Sequence, residues 1–378
     1  MTGVQTKPLS DHERLDWLRL IRSENVGPVV FRHLLERYGS PAAALEALPE
    51  LARRAGGKRQ VRLCSPAEAE AELAAARKAG VSLLVLGEPD YPAALRALDD
   101  APPVLAVLGR VEALALPQIG IVGARNASAN GRRLAGRLAA ELAEAGFAVA
   151  SGMARGIDTA AHSGALPRPT VAVLAGGVDI VYPPENAALH AEIREKGAVI
   201  AEMPLGTVPQ ARHFPRRNRL ISGLSSGVVV VEAAKRSGSL ITARFAADQG
   251  REVFAVPGSP LDPRAGGCNQ LLREGATLVE TAADILAVVG APSGAPAAAP
   301  RPFVQAVPPP AEAGDAERAI VEELLGAEPI QVDDVVRQSA LSTAVVHGVL
   351  LELELAGKVE RHPGNRFARL YKAPTNPL

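Results

Sequence analysis

From Gln118 to Val256 the chain repeats one rhythm: a short aliphatic run, a stretch of helical spacing, then another such run. The runs are Ile119–Val122, Ala148–Ala150, Thr170–Leu174, Val199–Ala201, Val228–Val231 and Val253–Val256. They are almost wholly apolar, so each strand needs burial on both faces. Apolar strands that alternate with helices predict a parallel sheet covered on both sides. The rhythm therefore predicts an α/β, Rossmann-like, doubly wound domain with a mostly parallel sheet.

The segments around it extend this plan. Leu15–Leu51 has apolar residues at helical spacing, with Leu15, Leu18 and Ile21 in one group and Phe31, Leu34 and Leu35 in the next. Glu24-Asn25-Val26-Gly27-Pro28 is a tight turn between them, with Pro28 suited to a first helical turn. Ser40 and Pro41 fit the N-cap and N1 positions of a further helix. Residues 1–80 thus read as a small helical domain, SAM-like or helix-hairpin-helix-like. Such hairpins hold DNA phosphates through backbone N–H groups, but the glycine pattern is incomplete, and a purely structural bundle is an equal alternative. Ala67–Ala79 is an Ala/Glu-rich helix, and Ser82–Leu86 and Val104–Leu108 read as strands that extend one sheet edge. The sheet domain spans 81–289. Gly290–Gly314, rich in Pro, Ala and Gly, reads as a semi-extended linker. In 315–378 three helices (Glu317–Leu325, Val332–Ser339, Ser342–Ala356) precede two short strands around His362-Pro363-Gly364-Asn365. That is the winged-helix layout, whose third helix enters a major groove.

Composition limits the function classes. Net charge is zero over 378 residues, so a nucleic-acid site must be a local patch and not a global field. Cys64 and Cys268 have no metal-ligand spacing and, with a polar Met1–Trp17, point to a reducing, cytoplasmic setting without a signal peptide. No apolar run reaches the roughly 18 residues of a membrane span. With 3% aromatics, the core must be built mainly of Ala, Val and Leu.

Chemistry concentrates at the strand ends. Arg212-His213-Phe214-Pro215-Arg216-Arg217-Asn218-Arg219 places four arginines and one phenyl ring in eight residues without an acid. Guanidiniums fork onto phosphate oxygens, and a phenyl face stacks on any base. Arg219–Gly223 reads as a short helix, which sets the cluster on a loop and helix start at the sheet's rim. Gly123-Ala124-Arg125 follows the first strand with one glycine where a dinucleotide fingerprint needs three, so the pattern does not fit NAD or FAD and a single phosphate at a helix start is expected. The second strand ends in Ser151-Gly152-Met153-Ala154-Arg155-Gly156-Ile157-Asp158. There small residues admit a ligand, and Asp158 fits an N-cap. His162 reads as structural. Ser237-Gly238-Ser239 opens another helix as an anion seat, and Glu232 is placed to pair an arginine of the cluster. No metal or cofactor site is read.

Taken together, these residues resemble the DNA-processing protein A (DprA/Smf) family. The matching motifs are Ile121–Arg125, Ser151–Asp158, Tyr182-Pro183, Phe214–Arg219, Ser237–Ser239 and Val256-Pro257-Gly258, in order over roughly Tyr91–Leu286. The resemblance implies a non-enzymatic homodimer that binds single-stranded DNA and helps load the RecA recombinase during natural transformation. It implies ssDNA contacts from Gly123, Ala124 and Arg125, base stacking by Phe214, and a nearby basic position served by Arg212. Arg155, Arg217, Asn218, Arg219, Ser237, Gly238 and Ser239 complete the expected ssDNA site. Ala124 stands where the family carries a hydroxyl residue, which removes one side-chain hydrogen bond.

The competing reading is a Rossmann-like nucleoside monophosphate phosphoribohydrolase. Such enzymes carry Pro-Gly-Gly-x-Gly-Thr-x-x-Glu, and that run is missing. For the winged helix, residues 315–378 hold seven Lys/Arg against ten Asp/Glu, a poor footprint for DNA. Five of the seven basics, among them Lys358, Arg361, Arg366 and Arg369, fall on the wing, so duplex DNA and a protein partner are equal alternatives there.

Overall fold

The computed structural model describes residues 9–54, 61–292, 313–362 and 364–370. Most of the predicted linker, and Lys372 of the wing, lie outside them.

Capping chemistry sets the first helices. α1 (Asp11–Arg22) opens at Ser10, whose hydroxyl accepts the Glu13 N–H while the Glu13 carboxylate accepts the Ser10 N–H. α2 (Pro28–Tyr38) begins on Pro28 and ends at Gly39 in the left-handed region. α3 (Pro41–Arg54) starts after Ser40, whose hydroxyl accepts from the Ala43 N–H. α4 (Pro66–Ala79) leads to β1 (Val81–Val85), the single turn α5 (Ala93–Arg96) and β2 (Val104–Gly109).

The repeating segment folds as its rhythm predicts. Its order is β3 (Gln118–Gly123), α6 (Ala129–Glu144), β4 (Ala148–Ser151), α7 (Ile157–Ala165), β5 (Thr170–Val173), α8 (Ala187–Lys196), β6 (Ala198–Ala201), α9 (His213–Leu224), β7 (Gly227–Val231), α10 (Ser239–Asp248) and β8 (Glu252–Ala255). α11 (Gly266–Arg273), β9 (Thr277–Leu278) and α12 (Ala282–Val289) follow. The sheet order is β1-β2-β6-β5-β4-β3-β7-β8-β9. From β6 to β9 every neighbour pair is parallel, while β1 and β2 add antiparallel strands at one edge. β9, two residues long, is too short to leave a periodic signal in sequence.

Alternate positions feed the two faces. Ile119, Ile121, Val149 and Val229 pack on Leu138 and Leu142 of α6 and Ala161 of α7. Ala172, Val199 and Ala201 pack with Ile193 of α8 and Ala76 of α4 in a second cluster. Each fully buried aliphatic side chain contributes about 1.5–3 kcal/mol. Strand order reverses at β3, which has β4 on one side and β7 on the other. Ligands of such sheets sit at the carboxyl ends beside the reversal.

The C-terminal elements are α13 (Asp315–Leu324), β10 (Ile330–Gln331), α14 (Val332–Ser339), α15 (Thr343–Leu355), β11 (Val359–His362) and β12 (Arg366–Arg369). β10-β12-β11 form a small antiparallel sheet, and Phe367 packs with Val346, Val349, Leu350 and Leu353 of α15. This is the predicted winged helix, with β10 as a third strand. Helices α1–α3 and these C-terminal elements form one compact unit, and the nine-stranded sheet forms the other. Among the described residues, no helix is long and apolar enough to cross a membrane.

Candidate nucleic-acid interface

The arginine cluster is not on a loop. α9 begins at His213, so Phe214, Arg216, Arg217 and Arg219 all belong to one helix. A helix turns about 100° per residue, which sends neighbouring side chains in different directions. Phe214 and Arg217, three apart, share the face toward a cavity of about 420 Å³. Arg212 and Arg216 stay exposed, and Arg219 turns into the protein.

That inward turn removes Arg219 from the expected binding set. It is buried, donates from Nη2 to Glu202 Oε2 at 2.5 Å, and donates from Nη1 to the Asp100 carbonyl at 2.5 Å. Burial works against its charge, but Glu202 and Asp100 more than restore it, and its pKa lies above the usual arginine value. Asn218 is also buried and donates to the Gly238 carbonyl at 3.3 Å, which ties α9 to the start of α10. Its amide serves the scaffold. Arg216 lies 3.7 Å from Glu202.

The cavity opens at the carboxyl ends of β3, β4 and β5. Arg125 and Asn126 come from the loop after β3, and Gly152, Ala154 and Arg155 from the loop after β4. Gly176, Tyr182 and Pro183 come from the connection after β5, and Pro209 from the one after β6. Arg217 forms one wall from α9. It is buried, and its Nε finds no acceptor among the described residues. A β-carbon on Gly152 would overlap its Nη1, so only glycine leaves the guanidinium its place. Burial lowers the Arg217 pKa to about 10, opposed by Asp158.

Asp158 is not an N-cap. α7 starts one residue earlier, and the buried carboxylate accepts the Gly152 N–H at 3.2 Å and the Ala154 N–H at 3.3 Å. It therefore shapes the loop that faces Arg217. Burial raises its pKa to about 6, and Arg217 opposes the rise. Gly156, at φ +81°, lets the same loop press on the strand-end loop of β3, where the Ile157 N–H donates to the Ala124 carbonyl at 3.2 Å. His162 is structural as expected, with Nδ1 2.8 Å from Thr170 Oγ1.

The mouth is aromatic and cationic. The Arg125 guanidinium carbon lies 5.3 Å from the centroid of the Phe214 ring, and Tyr182 meets the same ring at 5.8 Å with a 59° tilt. Tyr182 is 47% exposed. Arg155 pairs with Glu185. Gly123 and Ala124 form the turn behind Arg125 and do not line the cavity, and neither do Arg212, Ser237, Gly238 and Ser239. Ser237 and Ser239 share a hydroxyl hydrogen bond of 2.7 Å at the start of α10. The helix start after Arg125 is not an open anion seat. Ser128 caps α6, and its own N–H donates to Glu232 at 2.8 Å. Glu232 thus serves α6 and pairs no arginine of α9. The lining residues Gly152, Gly176, Tyr182, Pro183 and Pro209 fell outside the expected site. The Gly-rich turns and Tyr182-Pro183 were the available signal.

The chain has relatives of known name. The family model for DNA recombination-mediator protein A matches residues 82–290. Models of a DprA-like N-terminal HHH domain and a DprA winged helix domain match 11–75 and 305–365. Protein Smf of Escherichia coli is 42% identical over 290 residues, 75% of this chain and 76% of that protein. DNA processing protein DprA of Bacillus subtilis is 43% identical over 216 residues, 56% of this chain and 73% of that protein. The X-ray structure of DprA from Streptococcus pneumoniae has a TM-score of 0.61 at 34% identity and covers 75% of this chain and 99% of that one. A Helicobacter pylori DNA processing protein A, described for its single-stranded DNA binding mode, has a TM-score of 0.51 at 29% identity, with 55% and 95% covered. In sequence, domain set and fold, the chain belongs to the DNA-processing protein A (DprA/Smf) family.

Proposed function

We propose that this chain binds single-stranded DNA at the carboxyl edge of its sheet, with a phosphate at Arg217 and a base stacked on Phe214. The observation that carries the reading is Arg217: a buried guanidinium with an unserved Nε, facing an open cavity one helical turn from an aromatic ring. A phosphate in the cavity meets the guanidinium that lines it, and charge-assisted bonds of this kind are the strong ones. Arg125 and Arg212 are exposed and extend the positive edge for the next phosphates. Stacking on Phe214 is tolerant of sequence, which suits a strand of any composition. The single-stranded DNA binding mode of the Helicobacter pylori relative supports the same substrate. On this reading the protein works as a homodimer and passes the strand to the RecA recombinase in natural transformation. Both steps come from the family resemblance. None of the cavity's lining residues is a carboxylate, so the hydrolase reading gains no support from the site.

Oligothymidine affinity by fluorescence anisotropy tests the proposal. Arg217→Ala and Phe214→Ala should each weaken binding about tenfold or more. Unchanged affinity in both removes the site. Release of free base from nucleoside monophosphates would replace the reading with the hydrolase.

A further inference from the structure

The third helix of a winged domain ordinarily lies in a major groove. Here that helix, α15, contains no lysine or arginine, and its two glutamates are already engaged: Glu352 by Arg318 at 2.7 Å and Glu354 by Arg361 at 3.5 Å. Two of the wing's basic groups are engaged too, while Arg366 and Arg369 stay exposed. Lys358 lies 2.7 Å from Glu322, and Arg361 stacks over Phe367 at 4.4 Å. The exposed cations of the domain thus lie off α15, on the wing and on Arg337 of α14.

A second face of α15 is covered. The domain's own core takes Val346, Val349, Leu350 and Leu353. His347, Leu351 and Leu355, spaced at i, i+4 and i+8, point elsewhere, yet Leu351 and Leu355 are buried to 4% and 0% exposure. Their cover is α2 and α3, which pack on α15 within the same compact unit. The His33 ring of α2 meets the His347 ring edge-on, with centroids 6.1 Å apart. Asn25, at φ 62° in the turn between α1 and α2, donates from Nδ2 to the Leu355 carbonyl at 2.9 Å. The carbonyls of a helix's last turn have no partner inside the helix. One of them is therefore capped by a side chain 330 residues away.

We propose that α15 is a protein-docking helix and not a duplex reader, and that its occupant is this chain's own N-terminal bundle, held through the Asn25 turn, α2 and α3. The winged domain then clamps the two ends of the chain together. This proposal stands apart from the ssDNA site, since none of its residues lines the cavity.

The test uses the full chain with a specific protease site placed within residues 293–312. After cleavage the C-terminal piece should co-elute with the rest on gel filtration at micromolar protein, and added duplex DNA should not displace it. Leu351→Asp should release the piece. Asn25→Ala, a milder change, should speed its release about two- to tenfold, the loss of one hydrogen bond. Separation of the unsubstituted pieces on cleavage, or their displacement by duplex DNA, would overturn the proposal. So would retention that neither substitution weakens. Far-ultraviolet circular dichroism of the uncut Asn25→Ala chain, unchanged from the parent, ties its faster release to the contact.

Discussion

Arg217 on α9 and Gly152 after β4 occupy one space: the guanidinium fills the volume a side chain at position 152 would need. Gly152→Ala should therefore expel the guanidinium from the cavity wall without deleting a charge. Its oligothymidine affinity should fall about 10- to 100-fold, close to that of Arg217→Ala, since hydrogen bonds to charged groups are worth about 1.5–3 kcal/mol. Wild-type affinity in Gly152→Ala would show that Arg217 need not sit there to bind DNA.

Phe214 and Arg125 touch each other yet should fail differently. Phe214→Ala loses stacking, about 1–3 kcal/mol per base, and should leave the salt dependence of binding as it was. Arg125→Ala loses a phosphate partner and should lower the slope of log K against log salt by about 0.7. Titrations across a salt series distinguish the two.

Arg219 should matter to folding and not to binding. Arg219→Ala leaves Glu202 buried without its 2.5 Å partner. Removal of one member of a buried pair costs about 3–5 kcal/mol. The urea midpoint should drop accordingly, while the protein that remains folded should bind oligothymidine within about twofold of wild type.

Two buried groups give opposite pH windows. Burial pushes the His162 pKa down to about 3, from 6.5 in the unfolded chain. The unfolded state thus binds more protons between these values, and stability is lost as pH falls from about 6.5 toward 3. For Asp158, burial, opposed by Arg217, raises the pKa from 3.8 to about 6. The folded state then holds a proton that the unfolded chain has released, so stability is lost as pH rises from about 4 to about 6, on the order of 3 kcal/mol. Urea unfolding as a function of pH checks both. His162→Gln should flatten the acid limb, and Asp158→Asn should remove the loss between about pH 4 and 6.

The sequence alone determined the elements. Strand runs, the Ser40-Pro41 helix start and the winged-helix segments are coded within a few residues of one another and formed within about two residues of their expected limits, whereas α9 starts six residues before the expected Arg219. Only the tertiary structure decided what each charged group does. Arg216, Arg217 and Arg219 look alike in sequence but separate because α9 turns under them. The partners of Arg219 lie 17 and 119 residues away, and Asn25 reaches a carbonyl 330 residues on. Local periodicity carries no record of such meetings, because burial sets a charge's partner and burial exists only once the chain has closed on itself.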